Sequence, residues 1–268
     1  MRVASMPMYD LPEARTAIDS LWAAMAHNFR LEGIADVPGR LVHGRPLRKL
    51  WDDSALCLSQ CCGYDLVNRY AGKLVPIATP RYGAPECKGY DYTSVVIVHE
   101  DCPSDDVLKM RGAVCVINGL ESHSGMGALR SLVAPASREG RFFSEVKVSG
   151  SHADSIRMVQ QGEADVAAVD CVTFALLEWY RPVAVDGVRK LGRTYRAPGI
   201  PYVTRATEDE DTLTRMRAAI FRTFTDAKLN DVRRALFLGG VEVPDPSAYQ
   251  RITKSQQEAA RHGYPQLA

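Results

Sequence analysis

The sequence predicts a two-lobed α/β fold, each lobe a mixed, mostly parallel sheet flanked by helices and the two joined by two crossovers. Three observations carry this expectation. Apolar runs such as Val95-Val96-Ile97-Val98 and Val166-Ala167-Ala168-Val169 alternate with segments whose apolar residues recur at helical spacing. Strands that alternate with helices join most simply as parallel units with helices on both faces. A loop marked by Pro80, Gly83, Pro85 and Gly89 divides the pattern, and 268 residues suit one large domain or two lobes at roughly 100 to 200 residues per domain.

The elements follow in order. Arg2 to Met6 reads as a short strand. Asp10 with Glu13 three residues later forms a capping box, Pro12 fits the first turn, and Ile18, Leu21, Trp22, Met25 and Phe29 make the buried stripe of a helix. Next come a strand at Leu41-Val42, a short helix around Leu47 to Trp51, a strand from Ala55 to Ser59, a helix from about Tyr64 to Tyr70 and a strand from Leu74 to Ala78. Tyr92 to Val98 is rich in β-branched residues and opens the second lobe. That lobe continues with a helix near Asp105 to Met110, a strand Ala113 to Ile117, a polar turn Asn118 to Gly125 leading into a helix, and a strand Phe142 to Val148. A helix Ser151 to Gln161 stopped by Gly162, a strand Asp165 to Val169 and a helix Val172 to Tyr180 complete it.

Val188 to Thr194 reads as the strand returning to the first lobe. Thr207 with Glu210 reads as a second capping box, ahead of a helix striped by Leu213, Met216, Ile220 and Phe224. From Lys228 onward the chain reads as helical with a polar tail. The lobes are therefore expected to comprise residues 1–92 plus 191–268 and residues 93–190, with crossovers near Tyr92 and Leu191.

Lys plus Arg number 33 against 32 Asp plus Glu, a net charge of +1. That balance provides no basic field for nucleic acid or anionic lipid. The longest apolar runs fall far short of the roughly 18 to 20 residues that cross a bilayer, so no membrane insertion is expected. As written, the N-terminus lacks the apolar core of a secretory signal. The expected location is cytoplasmic, or periplasmic if the true N-terminus is longer. Seven cysteines among mostly apolar neighbours, with no C-x-x-C pair, predict free thiols and no metal site.

Three strand-to-helix turns carry unusual polar content. In open α/β sheets ligands sit beyond the carboxyl ends of strands, where helix-start N–H groups have no intrahelical acceptor. Ser122-His123-Ser124-Gly125 would suit a phosphate or phosphonate group, and equally an ordinary serine cap. Ser149-Gly150-Ser151-His152 repeats the pattern, with His152 as an anion donor or a simple helix-start residue. Asp170 ends an apolar strand and either bonds a ligand amine or hydroxyl or caps the next helix. Tyr9 and Tyr92 add candidate phenol donors. Ser124, His152 and Asp170 would make a catalytic triad on paper, but Ser122 and Met126 stand where a nucleophile elbow requires glycines. Gly125-Met126-Gly127-Ala128-Leu129-Arg130 has Arg in place of the third glycine of a dinucleotide fingerprint.

In combination, Ser-His-Ser-Gly opening a helix, Gly150-Ser151-His152 and a following Ala-Ala-Val-Asp resemble the phosphonate-binding (PhnD-like) family of substrate-binding proteins of ABC transporters. The resemblance implies the type II periplasmic-binding fold. It assigns Ser122, His123 and Ser124 to the phosphonate oxygens, an anion-contacting role to His152, and ligand contacts to Asp170 and to Tyr92 at the crossover. In the first-lobe loop that binds the rest of the ligand, this chain reads Gln60-Cys61-Cys62-Gly63-Tyr64, which makes Gln60 a further candidate. The expected function is reversible binding of a small oxyanion, such as a phosphonate or phosphate ester, in the cleft between lobes. No bond is made or broken and no cofactor is used; the chain is expected to be a monomer, with a small anionic ligand and an ABC permease as partners. Two alternatives stay open: an enzyme on this fold using His152 and Asp170 as acid and base, and a ligand-sensing domain.

Overall fold

A computed structural model of the chain describes residues 2–268. The polypeptide forms two compact units, one of Met1–Gly83, Lys88–Tyr90 and Pro198–Ala248, the other of Ala84–Cys87, Asp91–Ala197 and Tyr249–Ala268. Met1 itself lies outside the described residues. The chain opens with β1 (Val3–Ala4), α1 (Arg15–Leu31), α2 (Leu47–Trp51), β2 (Leu56–Gln60), α3 (Gly63–Val67) and β3 (Leu74–Tyr82). There follow β4 (Asp91–Tyr92), β5 (Ser94–His99), β6 (Val114–Ile117), α4 (Ala128–Val133), β7 (Glu145–Val148), α5 (His152–Gln160), β8 (Val166–Asp170), α6 (Cys171–Tyr180) and β9 (Val188–Arg193). The chain ends with β10 (Ala197–Pro198), β11 (Tyr202–Arg205), α7 (Glu210–Thr225), α8 (Asn230–Ala235), β12 (Leu238–Glu242) and α9 (Gln250–Arg261).

The first unit is a five-stranded sheet in the order β1-β2-β11-β3-β12, with β1 parallel to β2 and both β11 and β12 antiparallel to β3. Its core is the expected stripe of α1, with Trp22 and Phe29 edge to face at 6.0 Å, set against Met216, Ile220 and Phe224 of α7. The buried Asn28 amide is satisfied by Thr223 Oγ1 at 2.9 Å, as burial of a polar group demands. Trp51 packs edge-on to Tyr70 and donates its indole N–H to the Gln60 carbonyl at 3.0 Å.

The second unit is a five-stranded sheet in the order β7-β6-β8-β5-β9. β6 lies parallel to β7 and β8, while β5 runs antiparallel to β8 and to β9. Residues Val95–Val98, Cys115–Ile117 and Val166–Val169 are all buried, which explains why these strands read as continuous apolar runs instead of alternating ones. The two-lobed α/β architecture is as expected, but the sheets are mixed and not mostly parallel: among the described strands of these two sheets three pairings are parallel and five antiparallel.

Several expectations are corrected. The Asp10–Glu13 capping box does not form: a 3₁₀ turn over Pro12–Ala14 precedes α1, and the Asp10 carboxylate instead takes Arg15 at 3.0 Å and His43 at 2.8 Å, charged partners that outcompete a backbone N–H. Asp209 caps α7 in place of Thr207, accepting from Thr212 N at 2.6 Å. Leu41-Val42 is no strand; Val42 N donates to the Ala4 carbonyl at 2.8 Å and the Val42 carbonyl accepts from Ser5 Oγ at 2.6 Å. The helix expected over 64–70 stops at Val67, and the strand expected from Phe142 begins at Glu145.

The strand β12 hides in a stretch that reads as helical. Phe237 at φ +55°, Gly240 at φ +154° and a register shift between Leu238 and Gly240 break its alternation. The expectation that 191–268 belongs wholly to the first lobe is also corrected. β9 pairs with β5 and stays in the second unit. There too the C-terminal segment docks: Ser131 Oγ donates to the Ser255 carbonyl, Arg130 donates to the Pro265 carbonyl, and the N–H groups of Phe142 and Phe143 both donate to the Ala268 carbonyl at 2.8 and 3.0 Å. Burial of Ile252, Ala259 and Tyr264 anchors the segment on this unit.

Candidate functional site

Strand direction brings the polar turns of the second unit to one sheet edge. The parallel strands β6, β7 and β8 all end there, at Ile117, Val148 and Asp170. The antiparallel β5 begins there, with Ser94 opposite Asp170 in register. Thr194, just past β9, exchanges bonds with Ser94: its N–H donates to the Ser94 carbonyl and its hydroxyl accepts from Ser94 N, both at 2.9 Å.

After β6 the chain makes a wide π-type turn over His123–Gly127 that runs straight into α4. Ser122 caps it, Oγ accepting from Gly125 N at 3.0 Å and the carbonyl accepting from Gly127 N at 3.0 Å. Gly125 is required by close approach: a Cβ there would sit 1.9 Å from Asn118 Oδ1 and 3.3 Å from the Asn118 backbone N. The turn is thus pressed onto the chain that leads into it, with His123 and Ser124 at its head both buried.

After β7, Ser149-Gly150-Ser151 leads into α5. Gly150 sits at φ +94°, a conformation open to glycine and strained for other residues. Ser151 Oγ caps the helix by accepting from Asp154 N at 3.0 Å, while Ser149 Oγ shares a 2.7 Å bond with Ser155 Oγ. The first residue of α5, His152, reaches across to the other turn, where its Nε2 lies 2.9 Å from Ser124 Oγ. Ser94 Oγ donates to the Ser124 carbonyl at 2.8 Å. Ser124 is therefore held from two sides, and the two helix starts are tied at one serine.

Both histidines of the cradle are neutral. Burial pushes the His152 pKa down to about 4. His123 is 2% exposed, its ring 6.2 Å from Tyr92 and 6.0 Å from Tyr195, and burial followed by the nearby Arg130 charge pushes its pKa down to about 4 as well. Neither histidine brings a cation at neutral pH. The helix starts contribute partial positive charge at this edge, and the Arg130 guanidinium is the cation that acts on His123.

Asp170 behaves differently. Its Oδ1 accepts from Val172 N at 2.8 Å and Thr173 N at 3.1 Å, so the carboxylate fills the start of α6. The paper triad is not assembled, because Ser124 and His152 meet but the buried His152 Nδ1 has no hydrogen-bond partner, where a triad needs its carboxylate.

In the first unit, Gln60 ends β2 and is 3% exposed. Its Oε1 accepts from Met8 N at 3.3 Å and its Nε2 donates to Tyr82 OH at 3.4 Å. Tyr9 packs edge-on to Tyr82 at 5.1 Å. Gln60 thus braces the loop that carries Tyr9. Ser94, Thr194, Tyr195 and Tyr82 escaped sequence reading because each acts through a partner distant in the chain; only the Thr93-Ser94 step, polar residues heading an apolar strand, offered a signal. An open groove of about 580 Å³, lined in part by Asp106, Lys109, Leu132 and Arg193, involves none of the candidate ligand residues.

Among the described residues no cluster of three or more His, Cys, Asp or Glu side chains is arranged to hold a metal ion, and no helix is long and apolar enough to cross a membrane. A family model described as "ABC transporter, phosphonate, periplasmic substrate-binding protein" matches residues 58–249. No curated protein matches. Among solved structures, a binding-protein component of an ABC phosphonate transporter from Pseudomonas aeruginosa superposes with a TM-score of 0.76 at 14% identity, covering 98% of this chain and 87% of that one. PhnD1 from Prochlorococcus marinus in complex with methylphosphonate gives 0.75 at 13% identity over 97% and 98%. A Xanthomonas citri protein bound to ATP gives 0.73 at 16% identity over 98% of each chain. At these identities the structural likeness is one of fold.

Proposed function

Because the chain belongs to the phosphonate-binding family of ABC-transporter periplasmic substrate-binding proteins, we propose that its ligand is a small oxyanion, a phosphonate or phosphate ester, held by Ser122, His123, Ser124 and His152. The observation that carries this reading is the 2.9 Å contact between Ser124 Oγ and His152 Nε2, which brings two helix starts to bear on one hydroxyl. With His152 neutral, the tautomer protonated at Nε2 donates to Ser124 Oγ and leaves the serine proton for a ligand oxygen. His152 acts as the orienting donor behind Ser124. The His123 side chain packs with Tyr92 and Tyr195, and its share of the binding is the backbone N–H at the head of the turn.

Tyr92 and Asp170 complete the proposed set in the second unit, Asp170 as acceptor for a hydroxyl or amine of the ligand. Tyr9 and Gln60 are the proposed contacts of the first unit. Binding without catalysis is the preferred reading over acid and base chemistry at His152 and Asp170. Supporting it, the carboxylate is engaged at the start of α6 and His152 Nδ1 lacks the partner that would tune a general base. We propose that the protein acts as a monomer in the periplasm, delivers its ligand to an ABC permease, and uses no cofactor or nucleic acid. A thermal-shift screen with phosphate, methylphosphonate, a sulfonate and a small carboxylate tests this. A ligand at 100-fold excess over its Kd should stabilise the fold by about 2.7 kcal/mol; stabilisation by the carboxylate alone would overturn the phosphonate reading.

A further inference from the structure

None of the seven cysteines is in a disulfide, but two sulfurs touch: Cys87 Sγ and Cys171 Sγ lie 3.5 Å apart, from positions 84 residues apart in the chain. Both belong to the second unit. Cys171 is the first residue of α6; its N–H donates to the Thr93 carbonyl at 3.1 Å, and Asp170 beside it caps the helix. Cys87 closes a turn, its N–H donating to the Ala84 carbonyl at 3.0 Å, and the adjacent Glu86 is tied to Arg193 at 2.9 Å. Separate bonds hold each backbone in place, so the two thiols remain neighbours. Cys171 is 3% exposed, whereas Cys87 is half-buried and is the more accessible residue of the pair.

We propose that Cys87 and Cys171 are a modification site: a dithiol that closes to a reversible disulfide and staples segment 84–87 to the head of α6, next to Asp170. With a small disulfide such as oxidised glutathione, the Cys87 thiolate attacks one sulfur and expels one glutathione thiolate. The Cys171 thiolate then attacks the Cys87 sulfur of the mixed disulfide and expels the second. The protein loses two thiol protons and two electrons, and the oxidised glutathione takes them up as two reduced molecules. The neighbouring Cys171 sulfur, and then burial, hold the Cys87 thiol well above its ordinary pKa, so closure should be slow at pH 7 and faster in alkali.

The test uses the full chain, reduced and then incubated with oxidised glutathione at pH 8.5, with thiols counted by alkylation after denaturation. The count should fall from seven to five, a Cys87 peptide should appear joined to a Cys171 peptide by mass spectrometry, and dithiothreitol should restore seven. Cys102→Ser should lose two thiols likewise, whereas Cys87→Ser should form no such link. Seven thiols after oxidation, a link between other cysteines, or a persistent glutathione adduct on Cys87 with Cys171 still free would each overturn the proposal.

Discussion

Two helix starts in the second unit sit on neighbouring parallel strands and are built for opposite purposes. After β6 the cap is Ser122, a neutral hydroxyl that satisfies one N–H and leaves the positive end of the turn without a counter-charge. After β8 the cap is Asp170, whose carboxylate takes two N–H groups and supplies the negative charge itself. Both are good caps and both serve the fold. The difference teaches that the charge of one capping residue decides whether a helix start is open to an outside anion or already occupied from within.

The most direct way to break the comparison is to give the first turn the cap of the second. Ser122→Asp should keep the helix, since Asp caps as well as Ser, but weaken phosphate or methylphosphonate binding by more than about 100-fold, roughly 3 kcal/mol; calorimetric titration with an unchanged circular-dichroism spectrum would show it. Gly125→Ala should come next, costing roughly 1 to 3 kcal/mol of stability and most of the affinity, because the new Cβ meets Asn118. Adding Asn118→Ala should recover part of the melting temperature, a coupling that a double-mutant cycle reads.

Ser124→Ala should lower affinity by about 1 to 3 kcal/mol and leave the melting temperature nearly unchanged. Asp170→Ala, by contrast, should remove about 1 kcal/mol of stability in urea unfolding and change oxyanion affinity less than Ser124→Ala does. That contrast sharpens the division between an open start and a filled one.

A further contrast between the two units lies in pH. In the second unit, His123 and His152 have folded pKa values near 4, against about 6.5 for a solvated imidazole. Between those values the unfolded chain binds more protons, so their contribution is complete above pH 6.5 and declines as pH falls toward 4. In the first unit, burial of His43 opposes its charge, but hydrogen bonds to Asp10 and Asp19 prevail and raise its pKa, so its contribution is present in acid and fades as pH rises through the raised value. Two groups against one predict a net fall in melting temperature from pH 7 to pH 4.5, and His123→Asn should flatten it.

The strands of the second unit were legible because burial on both faces writes itself as unbroken apolar runs at Val95–Val98 and Val166–Val169. The two serine turns were legible for a different reason: hydroxyls and glycine at a helix start are a local requirement, met by Ser122, Ser151 and Gly150 within a few residues. What escaped was whatever depends on a distant partner. Asp10 looked like a cap until His43, 33 residues away, claimed it. The segment Tyr249–Ala268 carries an amphipathic pattern that names no sheet, and distant partners such as Arg130, Ser131 and Phe142 place it. The charge state of the histidines was not legible either: burial, which no local pattern encodes, makes both neutral.

The central claim is that Ser124, oriented by His152, binds the oxyanion. Calorimetric titration of methylphosphonate into the native protein, Ser124→Ala and His152→Ala tests it most directly. Saturable 1:1 binding in the native protein, weakened at least tenfold in each variant with melting temperatures preserved, is the predicted result. Equal affinity in all three proteins would contradict it.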